Sequence, residues 1–509
     1  VIFEPPRFVK PRKPYNKTVP IIVVDKDMNA WSDFDNVPAP RQIEDVLVRC
    51  KTNGHTGRHP GSILVCVNPM KLLLHVQEKF KEHSEWNFKI SIHDKDTYVN
   101  GVIKTHKEDA TVSFFGFRDE HKNTWYHYVI SPSRYTRSNL NELIPTNQPE
   151  ISKLYEWVTS LYMFAQKNDL KLSGSAGGLA AQLLRDERFY PTDRRKVPVA
   201  TNERAREALP GNHYEFRGNF KTVYASAVYY DQQSAHHWAA ANVQLPHADW
   251  LYARGYFHEQ REWCSPGSPE YDYTVNNEQG LLYARIWVPR DNVDSFLPPW
   301  AHRRGLQDAY IYTNELPLLK LLGVEIRYLY AAWTSPTVDT GLSKYSEWAQ
   351  EQIKKHPTDK KWMKSVLLAA YGVLASKPRI YEFGYYRAKG VPESFHMGPN
   401  EIHIIRTSTK KKNQLPIANV IHRGMIEAET RKMSIELARQ FQREGHTVLS
   451  IYADGVIVKD DKKQLPLVPA PWVPKHRLKF LMFTDSTSFE SDLLRRMPGR
   501  KKLDKPVCV

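Results

Sequence analysis

Asp231 and Asp454 each close an apolar run, and that placement marks them as candidates for chemistry. Asp231 follows Val228-Tyr229-Tyr230, and Asp454 follows Leu449-Ser450-Ile451-Tyr452-Ala453 and precedes Gly455. A carboxylate at the end of a buried strand is costly unless it is paired or metal-bound. Two of them, from different strands of one sheet, can hold two Mg²⁺ ions, or Mn²⁺ in their place. Such a clamp stabilises the attacking and leaving oxygens of phosphoryl transfer. Taken singly, each also reads as an ordinary turn aspartate, with Gly455 supplying a tight turn. Between them runs Lys364-Ser365-Val366-Leu367-Leu368-Ala369-Ala370-Tyr371-Gly372. Lys364 and Tyr371 are seven apart and share one helix face. That face can neutralise a triphosphate and pack against a base pair. The plainer alternative is an amphipathic core helix with an exposed lysine.

The elements that must carry these residues can be read from periodicity. A strand starts from Pro20 over 19–25, and a second covers Ile63 to Val67. A helix is predicted from Pro69 to about Lys81, a hairpin over 110–130 and a helix over 149–167. This alternation predicts an α/β domain up to about residue 188. A polar, Arg-rich connector follows, from Arg185 to Gly211. A strand from Ala225 to Tyr230 then delivers Asp231. Strands and short helices alternate over 280–345. The stretches 346–376 and 419–444 are helical, and a strand over 448–452 leads into Asp454. The last 45 residues are Pro-rich and basic.

The 509 residues suffice for two or three domains. Lys and Arg number 72 against 56 Asp and Glu, a net charge of +16 that favours a polyanionic partner, nucleic acid first. Cys50, Cys66, Cys264 and Cys508 are scattered without a CxxC pair, which argues against a zinc site or a disulfide framework. No apolar run approaches the roughly 18 residues a membrane span needs. No signal-peptide pattern opens the chain, so a cytoplasmic protein is expected.

In chain order, Asp231-Gln232-Gln233-Ser234, then Lys364 to Gly372, then Tyr452-Ala453-Asp454-Gly455 resemble motifs A, B and C of family B DNA polymerases. The flanks agree. Asp231 to His237 is similar to the family's Asp-x-x-Ser-Leu-Tyr-Pro. Tyr371-Gly372-Val373-Leu374-Ala375-Ser376-Lys377-Pro378 is similar to its Tyr-Gly-Lys-Phe-Ala-Ser-Asn-Pro. The compact spacing resembles the protein-primed branch of small phages and linear plasmids. The resemblance runs over about 19–500, densely at the motifs and thinly elsewhere. It implies an α/β (α+β) fold: a right-hand palm-fingers-thumb polymerase with an N-terminal RNase H-like exonuclease-type domain.

The implied layout starts with that exonuclease-type domain over 1–188 and a palm with motif A over 189–294. A first protein-primed-type insertion occupies 295–340, fingers with motif B 341–384 and a second insertion 385–418. Palm with motif C over 419–465 and a thumb over 466–509 complete it. The implied partners are DNA template and primer, dNTPs and a terminal priming protein, in the host cytoplasm if the chain is phage-encoded. Backbone amides of Gln232, Gln233, Ser234 and Ala235 would cradle the triphosphate, and His236 would lie under the sugar. Tyr371 would stack near the nascent pair, and Gly372 would admit the minor groove. Pro210, Gly211 and Asn212 sit where the family holds single-stranded template. Lys410, Lys411 and Lys412 would meet phosphates in the second insertion, although the run also reads as a solvated loop.

Departures from the family shape the expectations. Asp25 and Asp27 match the first exonuclease motif, but Leu72 and Thr159 fall where the other motifs place carboxylates, so the proofreading site is expected to be inactive. His236 replaces the tyrosine that excludes ribonucleotides. Tyr452 takes the place of the first motif C aspartate. Thr487-Ser488-Phe489 replaces a late Lys-x-Tyr. The expected activity is template-directed, protein-primed, strand-displacing synthesis without proofreading. The alternatives are a ribonucleotide-tolerant or template-independent enzyme, and a catalytically dead, nucleic-acid-binding pseudo-polymerase.

Overall fold

The computed structural model describes residues 21–32, 41–43, 60–69, 71–72, 75, 87–92, 98–99, 102–103, 112–118, 124–135, 150–170, 172–189, 197–209, 214–216, 221–247, 253–255, 264–289, 296–301, 303–376, 379–381, 403–404, 411–413, 417–452, 454–460, 468–485, 488–493 and 495–496. They divide into two compact units. The first joins 1–184 to 353–373 and 377–415; the second comprises 185–352, 374–376 and 416–509.

The first unit is built on an eight-stranded sheet. Its order is His403–Ile404, Asn87–Ile92, Val112–Arg118, Thr124–Ile130, Pro60–Cys66, Ile21–Val24, Asn29–Ser32 and Arg41–Gln42. Pro60–Cys66 runs parallel to both Ile21–Val24 and Thr124–Ile130, while Ile21–Val24 and Asn29–Ser32 form an antiparallel hairpin. All four residues of Ile21–Val24 are apolar and buried, as expected of a strand covered on both faces. Helix Glu150–Lys167 buries Leu154, Trp157, Val158, Leu161, Phe164 and Ala165, a stripe at three- and four-residue spacing. Its Tyr155 ring meets Trp31 edge-on at 4.4 Å, and Phe164 meets Trp362 at 5.6 Å.

The helical stretch read over 346–376 is two helices, Gly341–Lys355 and Lys360–Leu374. Pro357 accounts for the break. It lacks an N–H and disfavours helical backbone in the residue before it.

The second unit is centred on a five-stranded antiparallel sheet in the order Tyr214–Phe216, Val448–Tyr452, Gly455–Lys459, Ala227–Gln232 and Trp472–Leu478. Side chains alternate between faces along each strand. Val228, Tyr230, Val456 and Val458 pack with Leu437, Ala438 and Phe441 of the long helix Val420–Arg443. Ala227, Tyr229, Tyr452 and Ile457 pack on the other face with Leu481, Phe483 and Phe489. The central strands are therefore largely apolar and hidden on both sides, and Asp231 closes Ala227–Gln232 near its end.

A second antiparallel sheet orders Ala253–Gly255, Glu325–Ser335, Gln279–Val288 and Gly305–Tyr312. One expectation needs correcting in this unit. The Arg-rich connector contains helix Val199–Ala208. Asn202 on that helix is fully buried, donates to Ala418 O at 3.0 Å and accepts from Val420 N at 2.8 Å, so it anchors the start of the long helix. The Pro-rich C-terminal stretch contains strands Trp472–Leu478, Leu481–Asp485, Ser488–Ser491 and Arg495–Arg496.

Candidate active site on the five-stranded sheet

Asp231 and Asp454 come together through strand register. Gly455 is the Cα partner of Asp231, and the Gln232 N–H donates to the Asp454 carbonyl at 3.0 Å. Asp454 lies in the turn between Tyr452 and Gly455, which pair with each other. Gly455 is required by close approach: a Cβ there would meet Tyr229 Cε2 at 2.3 Å. The Tyr229 ring lies over that glycine, and its hydroxyl donates to Asp231 Oδ1 at 3.2 Å.

Lys475 Nζ donates to Asp231 Oδ2 at 2.6 Å, and the two side chains are 41% and 15% exposed. Lys475 reaches it from an irregularity in the neighbouring strand. Tyr229 pairs with His476 and Tyr230 with Pro474, so Lys475 is the extra residue of a bulge. Nothing in the sequence pattern singles this lysine out.

Tyr452 is buried and packs edge-on against Phe489 at 5.1 Å. It brings no third carboxylate to the turn. Among the described residues no group of three or more His, Cys, Asp or Glu is placed to hold a metal ion. Two carboxylates on adjacent strands fit one hard divalent cation, which takes oxygen ligands and retains several waters.

Two of the four amides assigned to the triphosphate are already engaged. Gln232 N–H donates to Asp454 O, and Gln233 N–H to Pro471 O at 2.9 Å. The Gln232 side chain is buried as well, donating to Thr430 O and Ser434 Oγ, both at 2.9 Å. It ties the strand to the long helix rather than facing a nucleotide. Ser234 adopts the left-handed conformation (φ 54°) just before helix Ala235–Asn242. His236, in that helix's first turn, is half-buried. Desolvation pushes its imidazole down to about 3, helped by the positive Arg423 and by His237.

Lys364, Tyr371 and Gly372 belong to the first unit. Lys364 is exposed, and a Cβ at Gly372 would meet nothing within 4 Å. Tyr371 is fully buried. Pro210, Gly211, Asn212 and Lys410 lie outside the described residues. Lys411 and Lys412 fall in strand Lys411–Asn413, which pairs with Arg379–Tyr381.

The four residues matched in sequence to exonuclease motifs also lie in the first unit. Asp25 follows Ile21–Val24 and acts as a turn clasp: its Oδ1 accepts from Asp27 N at 2.9 Å and Asn29 N at 2.8 Å, and its Oδ2 from Asn29 Nδ2 at 3.1 Å. Asp27 is exposed. Leu72 is buried, and its neighbour Lys71 donates to Lys26 O at 2.5 Å, joining the first two motif segments. Thr159 carries a buried hydroxyl with no hydrogen-bond partner and lines a cavity of about 520 Å³ with Tyr155, Phe164, Trp362 and Met363.

The fold is similar to that of solved DNA polymerases. The solved structures it resembles include phi29 DNA polymerase with primer-template DNA and incoming nucleotide substrates, at a TM-score of 0.61 and 10% identity over 94% of this chain and 87% of that one. Phi29 DNA polymerase with primer-template DNA matches at a TM-score of 0.60 and 10% identity over 93% and 87% of the two chains. Its complex with single-stranded DNA matches at 0.56 and 11% over 89% and 81%. No family model matches the sequence, and no curated protein matches it. No described helix is long and apolar enough to cross a membrane.

Proposed function

We infer that this chain is a template-directed DNA polymerase, protein-primed and strand-displacing, that extends DNA without proofreading. The observation that carries the reading is the pairing of Asp231 with Gly455, which brings Asp231 beside the turn that carries Asp454 at one end of a buried antiparallel sheet, in a fold similar to that of solved DNA polymerases. The five-stranded sheet would be the palm, and Lys360–Leu374 the fingers helix. In the reaction the primer 3′-oxygen, or a protein hydroxyl at initiation, bonds to the α-phosphorus of a dNTP. The bond to the bridging oxygen of the β-phosphate breaks, pyrophosphate leaves and the hydroxyl proton passes to solvent. Mg²⁺ or Mn²⁺ held by Asp231 and Asp454 would supply Lewis-acid charge at the phosphate oxygens. Lys364 would neutralise the triphosphate, and the amides of Ser234 and Ala235 would meet it at a helix N-terminus. The +16 net charge suits a DNA backbone.

Primer extension tests the reading directly. The full chain with primed template, dNTPs and Mg²⁺ should lengthen the primer. DNA binding without any extension would leave only the nucleic-acid-binding pseudo-polymerase.

The eight-stranded sheet supports an RNase H-like ancestry for the first unit. Around Ile21–Val24 its neighbours are an antiparallel hairpin strand on one side and the parallel strands Pro60–Cys66 and Thr124–Ile130 on the other. With Leu72 and Thr159 in place of carboxylates and Asp25 committed to its turn, the expected result is no 3′–5′ hydrolysis. An end-labelled single strand should stay intact with enzyme and Mg²⁺. Shortening that is lost in an Asp25→Ala, Asp27→Ala double variant would show a working nuclease.

His236 favours relaxed sugar selectivity. Imidazole is smaller than phenol and can hydrogen-bond a 2′-hydroxyl. The His236→Tyr variant should raise the dNTP-over-rNTP ratio of kcat/KM by about tenfold, the order expected for one hydrogen bond and a clash. An unchanged ratio would remove His236 from the gate. The same variant has a pH signature. The folded pKa of His236 lies below its ordinary 6.5, so the unfolded chain takes up the proton first. Its contribution to stability is complete above 6.5 and is lost as pH falls from there toward 3. The Tm of wild type should therefore fall more steeply over that window than that of His236→Tyr.

A further inference from the structure

We propose that Arg206 and Ser376 form a binding site for a phosphate group, one that uses neither of the two aspartates. Arg206 sits in the last turn of helix Val199–Ala208, and Ser376 follows helix Lys360–Leu374 by two residues. Both belong to the second unit. Arg206 Nη2 donates to Ser376 O at 2.5 Å, which puts the serine against the guanidinium. Arg206 Nε and Nη1 are buried without a hydrogen-bond partner, and so is Ser376 Oγ. The arginine as a whole is half-buried, so its tip lies just beneath the surface. Burial lowers the basicity of the guanidinium, and the negative charge of Glu203 offsets only part of that.

Buried donors without acceptors are costly, and native structures leave few of them. A guanidinium carries five N–H donors in a rigid fork and accepts nothing. The bond to Ser376 O uses one, which caps the chain after the helix. Three more, on Nε and Nη1, are unmet, and the Ser376 hydroxyl adds another donor. Such a group calls for a ligand rich in acceptors. Water fits it poorly, because water brings two hydrogens of its own and a guanidinium offers them no lone pair. A phosphate group presents acceptor oxygens, offsets the charge of a desolvated cation and matches the planar fork with two parallel bonds. Nη2 has one hydrogen on each edge of the fork, so one two-donor edge stays complete beside the bond to Ser376 O. On the polymerase reading the phosphate is a phosphodiester of the DNA backbone, which the +16 net charge favours. A free phosphate ion is the other source of the same chemistry.

Two measurements on the full chain test the site. In the first, a labelled primed template with a single-stranded overhang is titrated at several salt concentrations. Arg206→Met should weaken binding about tenfold, the order of one charge-assisted contact. It should also flatten the slope of log affinity against log salt by about 0.7–0.9, the share of one phosphate. Arg206→Lys keeps the charge and should keep the slope, while losing part of the affinity with the fork. Ser376→Ala should cost about threefold with the slope unchanged. These two milder variants guard against misfolding in Arg206→Met. In the second, thermal unfolding is followed as inorganic phosphate is added at constant ionic strength. Phosphate should raise the Tm of wild type and leave that of Arg206→Met unmoved. A Tm rise that needs Arg206, with DNA binding unchanged in the variants, would keep the site and assign it to free phosphate. Unchanged DNA binding together with no Arg206-dependent Tm rise would overturn the site and leave its donors to ordered water. Primer extension by wild type is run alongside, and its failure would sink the polymerase reading without touching the binding data on Arg206.

Discussion

Asp231→Asn and Asp454→Asn should each lower nucleotide incorporation by about a thousandfold or more, with DNA affinity and folding nearly unchanged. Asparagine keeps the shape of the side chain and removes the charge that draws a hard cation. The Lewis-acid contribution of such an ion is several kcal/mol, and about 4 kcal/mol corresponds to a thousandfold in rate. Folding should survive because the bonds that build the corner are largely insensitive to the change. The Gln232 N–H donates to the Asp454 backbone carbonyl, which remains, and the Tyr229 hydroxyl can donate to an amide oxygen as it does to Asp231 Oδ1. Single-turnover extension on a primed template, run beside a filter-binding titration, checks both halves. Extension within tenfold of wild type by either variant would remove that residue from the site.

Arg431→Met should be the most damaging single change to stability, lowering it by about 3–5 kcal/mol and the Tm by about 5–15 °C. Arg431 and Glu315 are 4% and 0% exposed. Arg431 Nε and Nη2 both donate to Glu315 Oε1, at 3.1 and 2.8 Å, and Tyr312 N donates to Glu315 Oε2. Removing the arginine strands a carboxylate in the interior, where its desolvation is no longer offset. The variant Glu315→Leu, Arg431→Met should recover most of the loss, because two apolar groups carry no such penalty. Thermal unfolding of both variants decides it, and equal Tm values for the two would refute the buried-pair account. The pair also has a functional consequence. It fastens the turn after strand Gly305–Tyr312 to the helix that receives the Gln232 side chain, so loosening it should disturb the backbone beside Asp231.

The core of the candidate site was legible because an unbroken apolar run marks a buried strand, and an aspartate closing that run marks where the strand meets its rim. Ala227–Gln232 and Val448–Tyr452 formed within two residues of where periodicity put them. Lys475 was hidden because a bulge is a property of register between two strands, and Trp472–Leu478 alternates too poorly to read as a strand. Helix Val199–Ala208 was missed for a similar reason. Its inward face is made of Ala205, Ala208, Thr201 and Asn202, which look polar or neutral in sequence. Periodicity did place Lys364 and Tyr371 on one side of a helix, yet one is exposed and the other fully buried. Helical spacing defines a face but not what covers it.

The interleaving of the two units along the chain bears on how the molecule is made. The first unit is not complete at residue 184, because it also needs 353–373 and 377–415. On a ribosome adding about 5–20 residues per second, the remaining pieces emerge about ten to fifty seconds after residue 184. During that interval Phe164 waits for Trp362, and Asn87–Ile92 waits as a bare sheet edge for His403–Ile404. Exposed edges of this kind recruit foreign strands. Expression of 1–184 alone should therefore give insoluble protein, and slower translation of the middle of the gene should lengthen the chain's dependence on chaperones.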